Sequence, residues 1–247
     1  MTALEFAVQD VAGALGARRA GADRVELCAA LGSTGGLTAS IGTIEAVVGA
    51  GVPVHALIRC RAGGFVYTDD DEIAVMNADA RAAVAAGVTG LVVGALTQDH
   101  RVDIEVVRRV LDGIEVEDIE LTFHRAIDQI DDRSAALDAL IDNGMTRVLT
   151  SGGASRCAEG LDELAAMVEH ADRRIQIMAG GGVAVSDVRA LCRTGVDAIH
   201  LSARRVVADD GGPGGGGTSG HEQLDNQLAA AAAAQLRSAD SAEHPTA

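Results

Sequence analysis

Residues Ile119–Asp128 read IELTFHRAID, an apolar strand that runs directly into His124, Arg125 and Asp128. Strands of a parallel sheet are buried on both faces, so their sequences are almost continuously apolar. Burial of a histidine or a charged side chain at the end of such a strand is costly unless the group is paired. The segment therefore predicts a buried parallel strand that ends at a functional site.

Other apolar strand segments of the chain also end in polar residues. Strand and helix patterns alternate eight times along the chain. Strands are predicted to begin near residues 4, 23, 53, 90, 119, 147, 175 and 198, with helices over 70–86, 103–111, 134–143, 157–170 and 186–193. Strict alternation indicates a parallel sheet. Eight units in 247 residues predict a single-domain α/β fold, the (β/α)8 TIM-type barrel, with a doubly wound open sheet as the alternative.

The C-terminal part of the chain has a different composition. Residues 209–220 read DDGGPGGGGTSG and predict a flexible glycine-rich loop. Residues 222–236 predict an alanine-rich last helix, and residues 238–247 predict a disordered tail. We therefore expect the barrel domain to span residues 1–237.

Charge and cysteine usage narrow the class of protein. The formal net charge of −16, with arginine but no lysine, disfavours binding to nucleic acid or anionic lipid, because both are negatively charged. An acidic, lysine-free surface fits a halophilic protein, and GC-rich codon bias would give the same composition. The four cysteines form no CxxC pair, and no segment reads as a signal peptide or a membrane span. We therefore expect a cytoplasmic protein without a nucleic-acid or membrane partner.

Side-chain alternation along the strands separates an apolar face from a polar face. The apolar face suits the layer beneath the helices, so the polar face is expected to point into the barrel lumen. This polar set comprises Glu5, Arg24, Glu26, His55, Arg59, His124, His200 and Ser202. For the deepest members, Glu5 and Arg24, an ion-pair network that fills the lumen and fixes the strand register explains the polarity equally well.

The polar residues nearest the carboxyl ends of the strands are predicted to bind an anion. Active sites of barrel enzymes lie at this end, and arginines grouped there on an acidic protein would attract a negative ligand. Two glycine-rich loops, at residues 151–153 and 180–182, would present backbone N–H groups to phosphate or carboxylate oxygens. The predicted ligand-binding residues are Arg24, Arg59, Arg61, Arg125, Ser151, Gly152, Gly180, Gly181, Gly182 and Ser202.

Eight segments of the chain, in order, resemble the CutC family of copper-homeostasis proteins. They read GADRVELCAA, GGLTASIG, IRCRAGGFVYTDDD, GLVVGALT, TFHRAID, RVLTSGG, IMAGGGV and HLSAR, and the resemblance extends from about Leu4 to Arg204. It implies a TIM-type barrel, a cytoplasmic location, a homo-oligomer and an association with copper tolerance. It implies no defined reaction.

The sequence departs from the family pattern where copper would be expected to bind. Family members often carry a cysteine in the first strand, near the cysteine of the ELC motif, whereas Ala7 stands at that position here and leaves Cys28 alone. The family loop RPRGGDFxYS reads RCRAGGFVYT in this chain. Because Cu(I) prefers soft thiolate ligands, Cys28 is only a weak candidate metal ligand.

Two functions follow as hypotheses, and the first is copper binding or copper handling. Cys28 would be the central ligand, assisted by histidines or a methionine from neighbouring strands, namely His55, His124, His200 or Met178. An ordinary buried cysteine at position 28 is the alternative interpretation, because cysteine is among the most commonly buried residue types.

The second hypothesis is a metal-independent barrel enzyme, of isomerase or lyase type, that acts on a small anionic or phosphorylated metabolite. Glu26 or Glu5 would be the general base and His124 the general acid, because different environments would separate their pKa values. Arg59 and Arg61 would clamp the anion, while the amides of the two glycine-rich loops would hold its oxygens.

Overall fold

A computed structural model describes residues 1–209 and 220–243, and it confirms the predicted barrel. The strands are β1 (Ala3–Val8), β2 (Arg24–Leu27), β3 (Val54–Leu57), β4 (Gly90–Val93), β5 (Glu120–Phe123), β6 (Arg147–Thr150), β7 (Gln176–Gly180) and β8 (Ala198–Leu201). All of them run parallel in sequence order, and β1 closes the ring by pairing with β8. Each strand begins within one residue of its predicted start.

Helices alternate with the strands and surround the barrel. They are α1 (Val11–Ala20), α2 (Leu31–Thr34), α3 (Ile41–Gly49), α4 (Asp70–Ala85), α5 (Ile104–Val110), α6 (Arg133–Asp142), α7 (Leu161–Ala171), α8 (Val188–Cys192) and α9 (Asn226–Glu243). Short 3-10 turns at Arg125–Gln129, Cys157–Glu159 and Val185–Asp187 precede α6, α7 and α8. In the part of the chain that the structure describes, none of these helices has the length and hydrophobicity that crossing a bilayer would require.

Aspartate side chains determine where several helices begin. Asp10 accepts a hydrogen bond from the amide of Gly13 at the start of α1, and Asp132 accepts one from Ala135 at the start of α6. These contacts satisfy backbone N–H groups that have no partner within the first turn of a helix. The abundant aspartates of this acidic chain therefore also define its helix boundaries.

The hydrophobic core lies between the barrel and the helices. The apolar face of the strands points into this layer, where Phe6, Val25, Leu27, Phe123 and Ile199 are fully buried. Aliphatic side chains fill most of the remaining volume because aromatic residues make up only 2% of the chain. The predicted inner polar face is present on the strands that carry Glu5, Glu26 and His200, whereas Val92 of β4, Leu149 of β6 and Met178 of β7 form small apolar clusters separate from the outer core.

The chain beyond β8 differs from the prediction. Residues Arg204–Val207 (β9) and His221–Leu224 (β10) form an antiparallel pair, so the last helix begins at Asn226 rather than at residue 222. This helix continues to Glu243, through part of the segment predicted to be a disordered tail, because Ala239 is buried where α9 packs on α1 and α8. Residues 210–219 of the predicted flexible loop, and 244–247 of the tail, lie outside the described residues.

Charged side chains fill the lower half of the barrel lumen. Arg24 Nε donates to Glu5 Oε2 at 2.5 Å, and Arg147 donates to Glu120 at 2.8 Å and to Gln176. Glu5 is 0% and Arg147 1% exposed, so both charges are almost fully removed from water. The ion-pair network predicted for Glu5 and Arg24 is therefore present beneath the open end of the barrel.

Replacement of Arg24 tests how strongly this network contributes to stability. Arg24→Met leaves the buried Glu5 carboxylate without its arginine, and we expect the free energy of unfolding to fall by about 3–5 kcal/mol. Arg109→Met is the control, since it breaks an ion pair between the half-exposed Arg109 and the exposed Asp70 and should cost less than about 1 kcal/mol. Urea unfolding monitored by circular dichroism measures both changes, and equal losses would contradict the assigned role.

Candidate functional site

A cavity of about 290 Å³ opens at the carboxyl ends of the strands. Residues predicted from the sequence form a large part of its wall, namely Glu26, Arg59, His124, Arg125, Gly181, Gly182 and Ser202. Leu57, Phe65 and Leu149 add an apolar surface. The cavity therefore combines charged groups with a low-dielectric wall, where electrostatic interactions are stronger than in water.

His200 lies between two carboxyl groups at the floor of the cavity. Its Nδ1 is 2.7 Å from Glu5 Oε1, and its Nε2 is 3.5 Å from Glu26 Oε2. Burial opposes a charge on this ring, but Glu26 and Glu5 outweigh that effect and raise the pKa of His200. The two carboxyl groups thus favour the protonated form of the imidazole, and each of its ring nitrogens lies beside one of them.

The two carboxyl groups beside His200 have very different proton affinities. Burial raises the pKa of Glu26 to about 7, although the charge of His200 partly opposes the shift. Burial acts in the same direction on Glu5, but the hydrogen bond from His200 and the charge of Arg24 together hold the pKa of Glu5 well below its usual range. Glu5 therefore remains ionised, while Glu26 can gain or lose a proton near neutral pH.

His124 presents an N–H group that has no partner among the residues that the structure describes. Its Nδ1 accepts a hydrogen bond from the amide of Ala126 at 3.2 Å, so the proton of the neutral ring is on Nε2. Within residues 1–209 and 220–243, nothing pairs with this buried Nε2. Burial, together with the nearby charge of Arg59, lowers the pKa of His124 to about 3. His124 is therefore a neutral ring that offers its Nε2–H as a hydrogen-bond donor, and its predicted role as general acid stays a prediction.

The two arginines of the predicted clamp lie in different places. Arg59 stacks on Phe65 and donates to the carbonyl oxygens of Thr34, Gly36 and Gly63, so it holds two loops together while placing a positive charge beside the cavity. Arg61 does not line the cavity.

Arg61 is engaged outside the cavity instead. It pairs with Glu72 at 2.5 Å, donates to the carbonyl oxygen of Val66 and lies over the ring of Tyr67. These contacts hold the guanidinium against the loop that follows β3. The prediction that Arg59 and Arg61 together clamp a ligand is therefore wrong in its geometry.

Asp128 occupies the glycine-rich loop that follows β6. Its carboxylate accepts hydrogen bonds from the amides of Ser151 (3.0 Å) and Gly153 (3.2 Å) and from the hydroxyl of Thr150 (2.6 Å). It also pairs with Arg125 Nε at 2.8 Å. The donors predicted to hold a ligand at residues 151–153 are thus already satisfied by the protein, and neither Ser151 nor Gly152 lines the cavity.

The other predicted residues lie below or behind the cavity wall. Glu5 and Arg24 form its underlying ion pair, and Gly180 lies within β7, where a side chain would press against His200. Cys28 is fully buried beside Leu57, and its Sγ is 3.9 Å from the carbonyl oxygen of Val8. None of these groups contacts the cavity directly.

The surroundings of Cys28 do not suit a Cu(I) thiolate. Burial, followed by the charges of Glu26 and Glu222, raises the pKa of the thiol far above its usual range. Metal binding requires the deprotonated thiolate. Across the described part of the chain, no group of three or more His, Cys, Asp or Glu side chains is placed to hold a metal ion.

Sequence analysis placed His200 in the lumen but did not include it among the catalytic residues. Its importance depends on barrel closure, because Glu5 pairs with His200 only across the seam between β1 and β8. The role of Asp128 was also missed. The sequence feature that could have indicated this role is the position of Asp128 in the HRAID motif, three residues after Arg125, with which it pairs.

Comparisons with known proteins identify the family. The CutC family model matches residues 2–205. A CutC family protein from Agrobacterium fabrum is 46% identical over 82% of this chain and 80% of its own length. The human copper homeostasis protein cutC homolog is 42% identical over 81% of this chain and 73% of its own length.

A solved structure agrees with the sequence comparisons. The crystal structure of a CutC protein from Streptococcus agalactiae superposes with a TM-score of 0.75 and 34% identity, covering 82% of this chain and 99% of that protein. The matched region includes all eight barrel strands and the residues that line the cavity up to Arg204. On this agreement of sequence, fold and length, the chain belongs to the CutC family.

Proposed function

We propose that this protein acts in copper homeostasis, as the name of its human relative states for that protein, through an enzymatic activity at the cavity. The activity would be proton transfer on a small anionic metabolite, with an isomerase or lyase outcome. The observation that carries the proposal is the presence in one cavity of Glu26, with its pKa near 7, and of the His124 N–H, which no group in the described part of the chain pairs with. A proton acceptor and a hydrogen-bond donor of this kind are what removal of a proton next to a carbonyl group requires.

Each polar group in the cavity has a role in this reaction. The Glu26 carboxylate would take a proton from carbon, and the Nε2–H of His124 would stabilise the negative charge that develops on the substrate oxygen. His200, whose protonated form Glu5 favours, would hold the Glu26 carboxylate in place and stabilise its negative charge until that carboxylate takes up the proton. Return of that proton to a second carbon completes an isomerisation, and loss of a leaving group from that carbon completes a lyase reaction.

Positive charge around the cavity supports an anionic substrate. Arg59 has three carbonyl partners and, within the described residues, no carboxylate, so its charge is not neutralised. Arg125 and Arg204 also line the wall, where each is paired with a carboxylate, that of Asp128 and that of Glu222 respectively. On a protein with a net charge of −16, such a local group of arginines would direct an anion to this opening.

Direct copper binding at Cys28 is the second candidate. It is favoured by the family's association with copper and by the preference of Cu(I) for sulfur. The fully buried, protonated thiol opposes it. A cytoplasmic location and a homo-oligomeric state stay predictions that follow from the family resemblance.

The base role of Glu26 predicts catalysed exchange of substrate hydrogen with solvent. Wild-type protein, incubated in D2O with a panel of small sugar phosphates and 2-oxo acids, should introduce deuterium next to the carbonyl group of at least one member. Glu26→Gln should lower this rate by about 10²–10⁴-fold. Glu72→Gln, which alters a carboxylate outside the cavity, is the control and should retain the rate. Proton NMR follows the exchange, and no exchange by wild type would contradict the proposal.

The raised pKa of Glu26 predicts an acid limb in the pH profile. Because only the carboxylate accepts a proton, the rate should rise with pH and reach half its maximum at about pH 7. His200→Gln removes a positive charge that stabilises this carboxylate, so the midpoint should move to higher pH. Difference infrared titration of the protonated carboxyl band, wild type against Glu26→Gln, measures the same pKa without a substrate. A midpoint near pH 4.5, the ordinary value, would contradict the assignment.

Copper titration separates the two candidate functions. We expect reduced wild-type protein to bind Cu(I) no more tightly than Cys28→Ser, because the thiol is buried and protonated. Cys60→Ser controls for a more exposed cysteine. Competition with a Cu(I) chelator measures the affinities, and tight one-to-one binding that is lost only in Cys28→Ser would establish direct copper binding instead.

A further inference from the structure

We propose that the loop after β7, residues 181–183, binds a phosphate group of the substrate together with Ser202 and Arg125. This inference rests on the proposed function and makes it more specific, because it names a phosphorylated metabolite as the substrate class. Four observations support it: a second loop of the same form, a set of unused donors, the local charge and an unpaired donor elsewhere in the cavity.

The loop after β6 shows how this chain binds an oxyanion at such a position. Both loops contain two glycines with positive φ, at Gly152 (70°) and Gly153 (72°) after β6 and at Gly181 (112°) and Gly182 (65°) after β7. In the loop after β6, the amides bind the carboxylate of Asp128. The protein therefore supplies the anion for that loop from its own sequence.

The loop after β7 has donors at residues 181–183 that no carboxylate of the described chain occupies. The carboxylate of Asp187 binds only the next amide, that of Ala184, at 2.9 Å. Among the described residues, none accepts a hydrogen bond from the amides of Gly181, Gly182 or Val183. The hydroxyl of Ser202, on the neighbouring loop, is likewise without a partner in the described chain. All four residues line the cavity. Successive backbone N–H groups in such a turn form a concave site for an anion.

Two arginines lie next to residues 181–183, while the one carboxylate hydrogen-bonded to this loop in the described chain, that of Asp187, binds at Ala184. Arg125 contacts Asp128 through Nε and Ser151 through Nη2, which leaves Nη1 available on the side of Gly181. Arg156 donates to the carbonyl oxygen of Gly182 at 3.2 Å and has no carboxylate partner within residues 1–209 and 220–243. Two guanidinium groups therefore face one loop, and Asp128 neutralises only the first.

The number of donors favours phosphate over carboxylate. Three amides, one hydroxyl and the free nitrogen of Arg125 exceed the roughly four lone-pair sites of a carboxylate. A phosphate group offers three terminal oxygens and up to two negative charges, and arginine matches its geometry well.

The buried Nε2–H of His124, without a partner in the described chain, indicates that the same cavity takes a ligand. The phosphate would thus be anchored at the loop after β7, while Glu26 and His124 act on the remainder of the molecule. This division explains how one small cavity both anchors a substrate and reacts with it.

Backbone amide NMR with inorganic phosphate tests the proposal on the intact chain. Phosphate should shift the resonances of Gly181, Gly182 and Val183 saturably. Ser202→Ala and Arg125→Gln should each weaken phosphate binding by about tenfold or more, since each removes a hydrogen bond to a charged ligand. Arg133→Gln is the matched control: Arg133 lies beside Gly153, in the loop already occupied by Asp128, so binding should not change.

Several outcomes would overturn the inference. The amide resonances could show no saturable shift with phosphate, or the shifts could centre on residues 151–153. Ser202→Ala, which should retain its fold, could bind phosphate with unchanged affinity, or the protein could bind malonate more tightly than phosphate. The result of the deuterium-exchange experiment does not depend on the result of the phosphate-binding experiment. Exchange without phosphate binding would leave the proposed function in place and remove this inference, whereas phosphate binding without exchange would support the subsite and remove the proposed chemistry.

Discussion

The carboxylate of Glu5 lies near the centre of the barrel, and the arrangement of the polar lumen depends on it. A fully buried carboxylate is tolerated only with compensating partners, which Arg24 supplies on one side and His200 on the other. Arg24 in turn closes the lower lumen, while His200 forms the floor of the cavity. The charge that pairs with Arg24 in the lower lumen is therefore also a charge that raises the pKa of His200.

The same arrangement separates the proton affinities of groups that lie within a few ångströms of one another. Glu5 is held ionised by two cationic partners, whereas Glu26 has only the more distant His200 and its pKa rises to about 7. His124, without any carboxylate in hydrogen-bond contact, becomes neutral. Burial alone would make all these groups uncharged, so the positions of the neighbouring charges determine which group carries the proton.

Local periodicity made much of the fold predictable. The pattern of apolar and polar residues close together in sequence indicates strands and helices, and it also indicates which side of a strand each residue faces. Glu26, His124 and Ser202 were placed at the cavity on that basis. The contacts that each site residue makes were not predictable in the same way. Whether Arg61 turns inward, or whether Asp128 fills the loop after β6, depends on contacts between distant segments. The pairing of β9 with β10 likewise depends on contacts across a long separation in sequence.

The contact between Glu5 and His200 joins residues 195 positions apart, on the first and last strands of the barrel. During synthesis, Glu5 and Arg24 emerge long before the strand that completes their surroundings. In a nascent chain, the Glu5–Arg24 pair and the edge of β1 therefore stay incompletely covered until β8 is added, and exposed strand edges favour association with other chains. Because His200 and Ser202 belong to β8 and the residues just after it, the newly made protein has its complete binding surface only once the ring has closed.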